Sequence, residues 1–208
     1  MFDLGGVAIE IDLDPMLDHW QPYSTLSPAE LRSRLRIDEP YRQHERGEID
    51  AGAYMRHLAE VFEIRADVST VAAGWNAMLV KPVDATLALI ARMRRQLPCC
   101  AFSNTSAIHR DTWSARFPAL DDAFDRLFLS FELGLRKPDT AAFEAVVEEI
   151  GKPPGSILFF DDTAENIDAA RSVGLESVLV RGPRDVADAL VRLGLLDAGW
   201  GRLVDEGG

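Results

Sequence analysis

Phe2-Asp3-Leu4-Gly5-Gly6-Val7 stands almost at the start of the chain. An apolar residue and an aspartate run directly into two glycines. This reads as the end of a buried strand entering a tight turn, because glycine lets the backbone curl where other residues resist it. An aspartate at that edge is poised to meet a ligand, although a solvated aspartate beside an ordinary turn would give the same string. Only two residues precede Asp3, whereas a central strand typically has about 5–6. Either the strand is truncated or residues upstream of Met1 are missing from the numbering.

Partners for Asp3 come much later. From residue 84 onward helical and apolar extended segments alternate. Ala85 to Gln96 is helical, Cys99-Cys100-Ala101-Phe102 is a short buried strand ending at Ser103, and 106–117 is helical again. Leu127 to Ser130 is a strand, Thr140 to Ile150 an amphipathic helix, and Ile157 to Phe160 a strand ending at Asp161. A helix then stops at Gly174, Val178 to Val180 is a strand, and Val186 to Leu193 a helix. Such alternation predicts an α/β fold, a Rossmann-like three-layer core with parallel strands between helices. In these sheets ligands bind outside the carboxyl ends of the strands. Asp3, Ser103 and the Asp161-Asp162 pair each fall at such an end, and the Lys137 loop follows another strand.

Residues 14–80 read differently. Ser27-Pro28-Ala29-Glu30 is a capping box with proline at the first helical position. Asp50 and Asp67 are N-caps before apolar residues at helical spacing: Tyr54, Leu58, Val61 and Phe62, then Val71, Trp75, Met78 and Leu79. No strand signal interrupts this stretch. It is expected to be a compact helical-bundle insert (14–80) in a core formed by 1–13 and 81–208. The tail after Gly199 is expected to be loose.

The bulk properties exclude some partners. The 208 residues suffice for one domain and a small insert, with 47% hydrophobic and 27% charged residues. A net charge of −12 without a basic stripe argues against nucleic acid and anionic membranes. No apolar run approaches the roughly 20 residues of a membrane span, and no signal peptide is visible. Cys99 and Cys100 are adjacent in an apolar run and suit strand packing. These features fit a cytoplasmic protein.

Asp3, Asp161 and Asp162 brought together would repel one another unless a cation joined them. Oxygen-only ligands with no His or Cys cluster suit Mg2+. Acidic residues at a helix start also complement its dipole, but that accounts for neither the apolar strand before the pair nor the other partners. Lys137 beside Asp3 would keep the carboxylate ionised and neutralise a transferring phosphoryl group. Ser103 offers a hydroxyl, and the amides after it could cradle phosphate oxygens.

The ordered set Asp3, Ser103-Asn104-Thr105, Arg136-Lys137-Pro138-Asp139 and Asp161-Asp162 resembles the four motifs of the haloacid dehalogenase superfamily, and the 14–80 insert lies where that family places a helical cap. Finer features (Phe2 to Val7, His44-Glu45-Arg46-Gly47-Glu48-Ile49, and Phe160 to Asn166) are similar to a bacterial branch of α-D-glucose-1-phosphate phosphatases. The resemblance implies a Mg2+-dependent phosphatase of a small phosphorylated metabolite, such as a hexose 1-phosphate. Asp3 would be the nucleophile of an aspartyl-phosphate intermediate, assisted by Lys137 and Ser103. Asp3, the Gly5 carbonyl and Asp162 would hold the metal, with Asp161 direct or through water and Asn166 supporting the Asp162 carboxylate. Ser103, Asn104, Lys137 and, from the cap, His44 and Arg46 are the candidate substrate contacts. Trp20, Tyr41 and Trp75 read as cap core rather than sugar-stacking platforms, and His109 as structural.

One departure stands out. Phosphatases of the family place a second aspartate two residues after the nucleophile, to protonate the leaving oxygen. Here that position is Gly5. The expectation is a slow enzyme, a substitute acid from the cap such as His44 or Glu45, or easily expelled leaving groups. Two other readings stay open, a metal-independent 2-haloacid dehalogenase and a binding module that has lost catalysis. Monomer and homodimer are equally compatible with the sequence.

Overall fold

The computed structural model describes residues 1–197, 199 and 200, so most of the tail expected to be loose lies outside the described residues. The parallel sheet is built outward from the N-terminus. Phe2 forms parallel bridges with Ala101 on one side and Phe160 on the other. Its amide donates to the Cys100 carbonyl at 2.9 Å, and the Asp3 amide donates to the Phe160 carbonyl at 2.8 Å. Flanking this central segment are β3 (Cys100–Ser103), paired in parallel with β4 (Arg126–Leu129), and β5 (Leu158–Asp161), paired in parallel with β6 (Glu176–Leu179). The order is therefore β4–β3–N-terminal segment–β5–β6. The Met1 amino group extends the ladder by donating to the Leu158 carbonyl at 2.8 Å.

Side chains alternate across a strand, and the core divides accordingly. Phe2, Ala101, Leu129 and Phe160 pack in one apolar cluster with α6 (Asp84–Met93) and α12 (Pro183–Arg192). Phe102, Phe128 and Phe159 pack in a second with α10 (Thr140–Ile150) and α11 (Ala164–Ser172). Helices thus cover both faces, which is the three-layer α/β arrangement. Cys99 and Cys100 are unpaired, as packing residues would be.

The stretch between residues 14 and 77 is helical: α1 (Asp14–Trp20), α2 (Pro28–Ser33), α3 (Glu39–Glu45), α4 (Ala51–Val61) and α5 (Val68–Ala77). The capping box at Ser27 is present, and the Asp50 and Asp67 carboxylates accept from Ala53 and Thr70 amides. Trp20 is buried in the interior of this insertion and donates its indole N–H to the Val71 carbonyl at 3.0 Å. The sequence reading missed one feature. Leu79–Pro82 is a strand, β2, running antiparallel to β1 (Ile9–Ile11). This ribbon carries the chain into and out of the insertion. Three residues of β1 and a proline in β2 leave too little alternation to read as strands. β4, β5 and β6 each start within two residues of their expected positions, and α10 matches its expected limits.

Candidate active site

The sheet topology brings Asp3, Ser103 and Asp161 to one edge, because each ends a strand running in the same direction. Lys137 reaches them from the loop before α10. Its side chain is 1% exposed, and Nζ lies 2.7 Å from Asp161 Oδ2, 3.0 Å from Asp3 Oδ1 and 2.8 Å from the Phe102 carbonyl. Asp3 Oδ1 also accepts from the Leu4 amide at 2.7 Å. Among the described residues Oδ2 has no hydrogen-bond partner. Asp161 is fully buried and held by the Thr163 amide at 2.8 Å and by Asn166 Nδ2 at 2.9 and 3.1 Å. Asn166 therefore supports Asp161 rather than Asp162. A side chain at the third helical residue of α11 points back toward the strand end, whereas Asp162 turns outward.

Asp3, Asp161 and Asp162 each offer an oxygen within 4.8 Å of the others. The donor set is all oxygen and suits a hard divalent cation such as Mg2+. Burial pushes the Asp3 carboxyl up to about 7; Lys137 opposes this, while Asp161 and Asp162 add to it. Asp162 is raised as well, by partial burial and then by Asp161. A cation between the carboxylates would favour their ionised forms. Burial works against the Lys137 charge, but Asp3 and Asp161 outweigh it and its pKa lies above the ordinary value. Gly5, two residues after Asp3, lines the cavity over this cluster.

A cavity of about 560 Å3 opens over this cluster. Asp3, Ser103 and Lys137 form its floor, and the ribbon and the helical insertion contribute Ile11, Tyr41, His44, Glu45, Trp75 and Met78. Ser103 Oγ makes only a 3.5 Å contact with the Asn104 carbonyl, leaving the hydroxyl available. Other expected contacts are placed differently. Asn104 donates Nδ2 to the Lys137 carbonyl and accepts from the Lys137 amide, each at 2.8 Å. It braces the lysine loop and also lines the cavity. The Thr105 amide, one of those expected to cradle phosphate, donates to Ser130 Oγ at 2.8 Å. Arg46 is not among the lining residues; its guanidinium binds Glu48 and Glu39 within the insertion. The glycine after it turns the chain so that Arg46 faces its own neighbours.

His44 does line the cavity. It stacks on Tyr54 with ring centroids 4.5 Å apart, is 4% exposed, and has its pKa lowered by burial. Such a histidine is neutral near pH 7 and is a poor proton donor. Tyr41 and Trp75 belong both to the insertion's apolar packing and to the cavity wall. His109 is buried against Trp75 and also lines the cavity. The sequence reading gave no role to Arg136, which lines the cavity and pairs with Glu45.

A parallel α/β core with an aspartate, a lysine and an acidic pair gathered at its strand ends defines a hydrolase of the aspartate-nucleophile type. The chain belongs to the haloacid dehalogenase-like hydrolases, whose family profile matches residues 3–174. It is 25% identical over 188 residues to the D-ribitol-5-phosphate phosphatase of Bacteroides thetaiotaomicron, covering 85% of this chain and 88% of that protein. It is 28% identical over 193 residues to the drimenol cyclase of Aspergillus calidoustus, covering 89% of this chain but only 36% of the cyclase. The chain thus spans about a third of that relative. A haloacid dehalogenase family enzyme of Bacteroides thetaiotaomicron, crystallised with magnesium and inorganic phosphate, superimposes with a TM-score of 0.75 at 26% identity, over 86% of this chain and 91% of that one.

Proposed function

We propose that this chain is a Mg2+-dependent phosphomonoesterase acting on a small phosphorylated metabolite, a sugar or alditol phosphate. The observation that carries the reading is Lys137 Nζ set between Asp3 and Asp161, with Asp162 completing an all-oxygen trio. A metal-free dehalogenase site receiving a carboxylate gains nothing from three carboxylates. A phosphoryl site needs them to hold a cation. The magnesium- and phosphate-bound structural relative and the alditol-phosphate phosphatase relative support the same reading.

In this mechanism Asp3, Asp161 and Asp162, with the Gly5 carbonyl, are the groups that would hold the metal. The metal supplies positive charge that neutralises the phosphate oxygens. Asp3 Oδ2 attacks phosphorus, forming the aspartyl-phosphate as the P–O ester bond breaks; the leaving oxygen departs with the electron pair and takes its proton from water. Lys137 balances charge on the transferring group, and the Ser103 hydroxyl donates to one of its oxygens. Water then cleaves the acyl phosphate, regenerating Asp3. The insertion of residues 14–80 acts as a cap that closes over this floor and excludes bulk water. Among the described residues no helix is long and apolar enough to cross a membrane, and we place the enzyme in the cytoplasm, as a monomer or a homodimer.

The test is release of inorganic phosphate from p-nitrophenyl phosphate, acetyl phosphate, glucose 1-phosphate, glucose 6-phosphate and ribitol 5-phosphate, with Mg2+ and with EDTA. Turnover that needs metal and is lost in Asp3→Asn supports the reading. Chloride release from 2-haloacids without metal would replace it.

A further inference from the structure

The cavity has one charged pair away from the Asp3 cluster. Glu45, at the end of α3, and Arg136, just before Lys137, are separated by 91 residues in sequence, yet Arg136 Nε donates to Glu45 Oε2 at 2.8 Å. The Arg136 side chain is 11% exposed and that of Glu45 7%. A buried ion pair is weak evidence for stability, since desolvation consumes much of the attraction. The insertion also presses on the core here. Gly47 has φ +70°, and a Cβ on it would lie 2.5 Å from the Phe131 carbonyl.

The pair is only partly used within the protein. Arg136 binds through Nε, and among the described residues its two terminal nitrogens have no hydrogen-bond partner. The Arg136 side chain keeps 11% exposure, at the wall of the cavity. Both residues line the cavity. Glu45 takes a further hydrogen bond from the Tyr41 hydroxyl, which also lines the cavity, and its carboxylate has lone pairs to spare for a ligand. The wall therefore presents guanidinium donors beside a carboxylate acceptor, with no net charge. An anion would be repelled by Glu45 as much as drawn by Arg136. A hydroxyl both donates and accepts, and matches the pair. A second observation points the same way: His44 Nε2, Trp75 Nε1 and Ser106 Oγ are buried without partners, and all three residues line the same cavity. Each such atom is costly unless a ligand or a rearrangement satisfies it.

We propose that the Arg136–Glu45 pair reads the hydroxyl groups of the substrate's alcohol part, so that Arg136 and Glu45 are specificity-determining residues for a polyhydroxylated phosphate ester. The proposal rests on the phosphatase reading above and names the class of leaving group that the site selects. Buried polar groups left unpaired by a hydroxyl-free analogue would reject it strongly.

The test is a ratio. The kcat/KM for ribitol 5-phosphate or glucose 1-phosphate is divided by that for butyl phosphate, in the wild type and in Arg136→Gln, Arg136→Lys and Glu45→Gln. Removing one hydrogen bond to a charged group should lower the ratio about ten- to hundredfold, chiefly through KM. A loss that is equal on both substrates would mean that the pair only positions the Lys137 loop. An unchanged ratio with unchanged rates would mean that it does not touch substrate. Melting curves identify any variant that fails to fold, and Arg136→Lys keeps a cation beside Glu45. If the wild type releases phosphate from none of the esters, the reaction reading fails separately. Calorimetric binding of ribitol 5-phosphate to Asp3→Asn with and without Arg136→Gln then tests the pair directly. At least about tenfold weaker binding is expected, and equal affinity overturns the proposal.

Discussion

Asp162 rests against the space where Gly6 has no side chain. A Cβ on Gly6 would lie 2.2 Å from Asp162 Oδ2, and Gly6 holds φ +72°. The second glycine of the opening stretch thus does two things: it makes the turn after Asp3 and lets the last acid approach. Gly6→Ala would displace Asp162 and add roughly 1–2 kcal/mol of backbone strain. The expected result is a protein that still folds but needs at least about tenfold more Mg2+ for half-maximal phosphate release, in line with the loss of a well-placed carboxylate. An unchanged metal requirement would show that Asp162 does not bind the ion.

Asp3→Asn removes the nucleophile and one of three mutually repelling acids. Turnover should fall by about a thousandfold or more. Metal-free stability should hold or rise, because burial and the neighbouring acids already disfavour the Asp3 charge. Mg2+ should raise the melting temperature of the wild type by binding only the folded state, and this increment should shrink in the variant. A mutant that turns over normally would remove Asp3 from the chemistry.

Lys137→Met leaves Asp3 and Asp161 buried without their cation. Breaking a buried pair this way costs about 3–5 kcal/mol. Added Mg2+ should recover part of that loss, since it neutralises the same carboxylates, while phosphate release stays low. Denaturant melts with Mg2+ and with EDTA give the comparison. Equal destabilisation in both buffers would mean that the metal and Lys137 do not share these acids.

Much of this site was legible because strand ends are marked in the sequence. Phe2, Phe102 and Phe160 are the last apolar residues before Asp3, Ser103 and Asp161, and a parallel sheet brings its carboxyl ends to one edge whatever the details of packing. The side-chain assignments were less legible. Asn104 and Asn166 entered through the family resemblance, and which carboxylate or carbonyl each binds depends on rotamers that a motif does not encode. Arg46 and Arg136 show the same limit over a longer range. Both are arginines beside a motif, and only the docking of the insertion turns Arg136 onto Glu45 while Arg46 closes on Glu39 and Glu48. The ribbon of Ile9–Ile11 with Leu79–Pro82 was hidden because its pairing is non-local and its strands are short.

His109 gives a stability test away from the acids. Burial is the main reason its pKa falls to about 4, from an ordinary 6.5; nearby His44 lowers it further, and a contact to the Trp75 carbonyl only partly opposes this. Below pH 6.5 the unfolded chain takes up a proton that the folded one refuses, so stability is lost as pH falls from about 6.5 to about 4. The loss from this group is on the order of 3 kcal/mol across that window. His109→Gln keeps a polar group near Trp75 without the titration. Its stability should fall less steeply with acid than the wild type's, by about one proton in slope. Parallel curves would mean that His109 titrates normally in the folded protein.

Gly5 is where the family's second aspartate would stand, and the structure has room for it. A Cβ on Gly5 would meet Ile11 Cγ1 at 3.4 Å and Cδ1 at 3.9 Å, which is ordinary contact. Its φ is outside the left-handed region, unlike that of Gly6. A carboxyl there would face the same cavity floor as Asp3 and could protonate a departing alkoxide. General acid assistance is worth about 10²–10⁴-fold where the leaving group needs it. Gly5→Asp should therefore raise kcat on glucose 6-phosphate and butyl phosphate far more than on p-nitrophenyl or acetyl phosphate, whose leaving oxygens need little protonation. The slope of log kcat against leaving-group pKa should flatten in the variant. If that slope is already flat in the wild type, another group in the cavity supplies the proton. Glu45 is then the carboxyl to test, because burial raises its pKa even with Arg136 beside it.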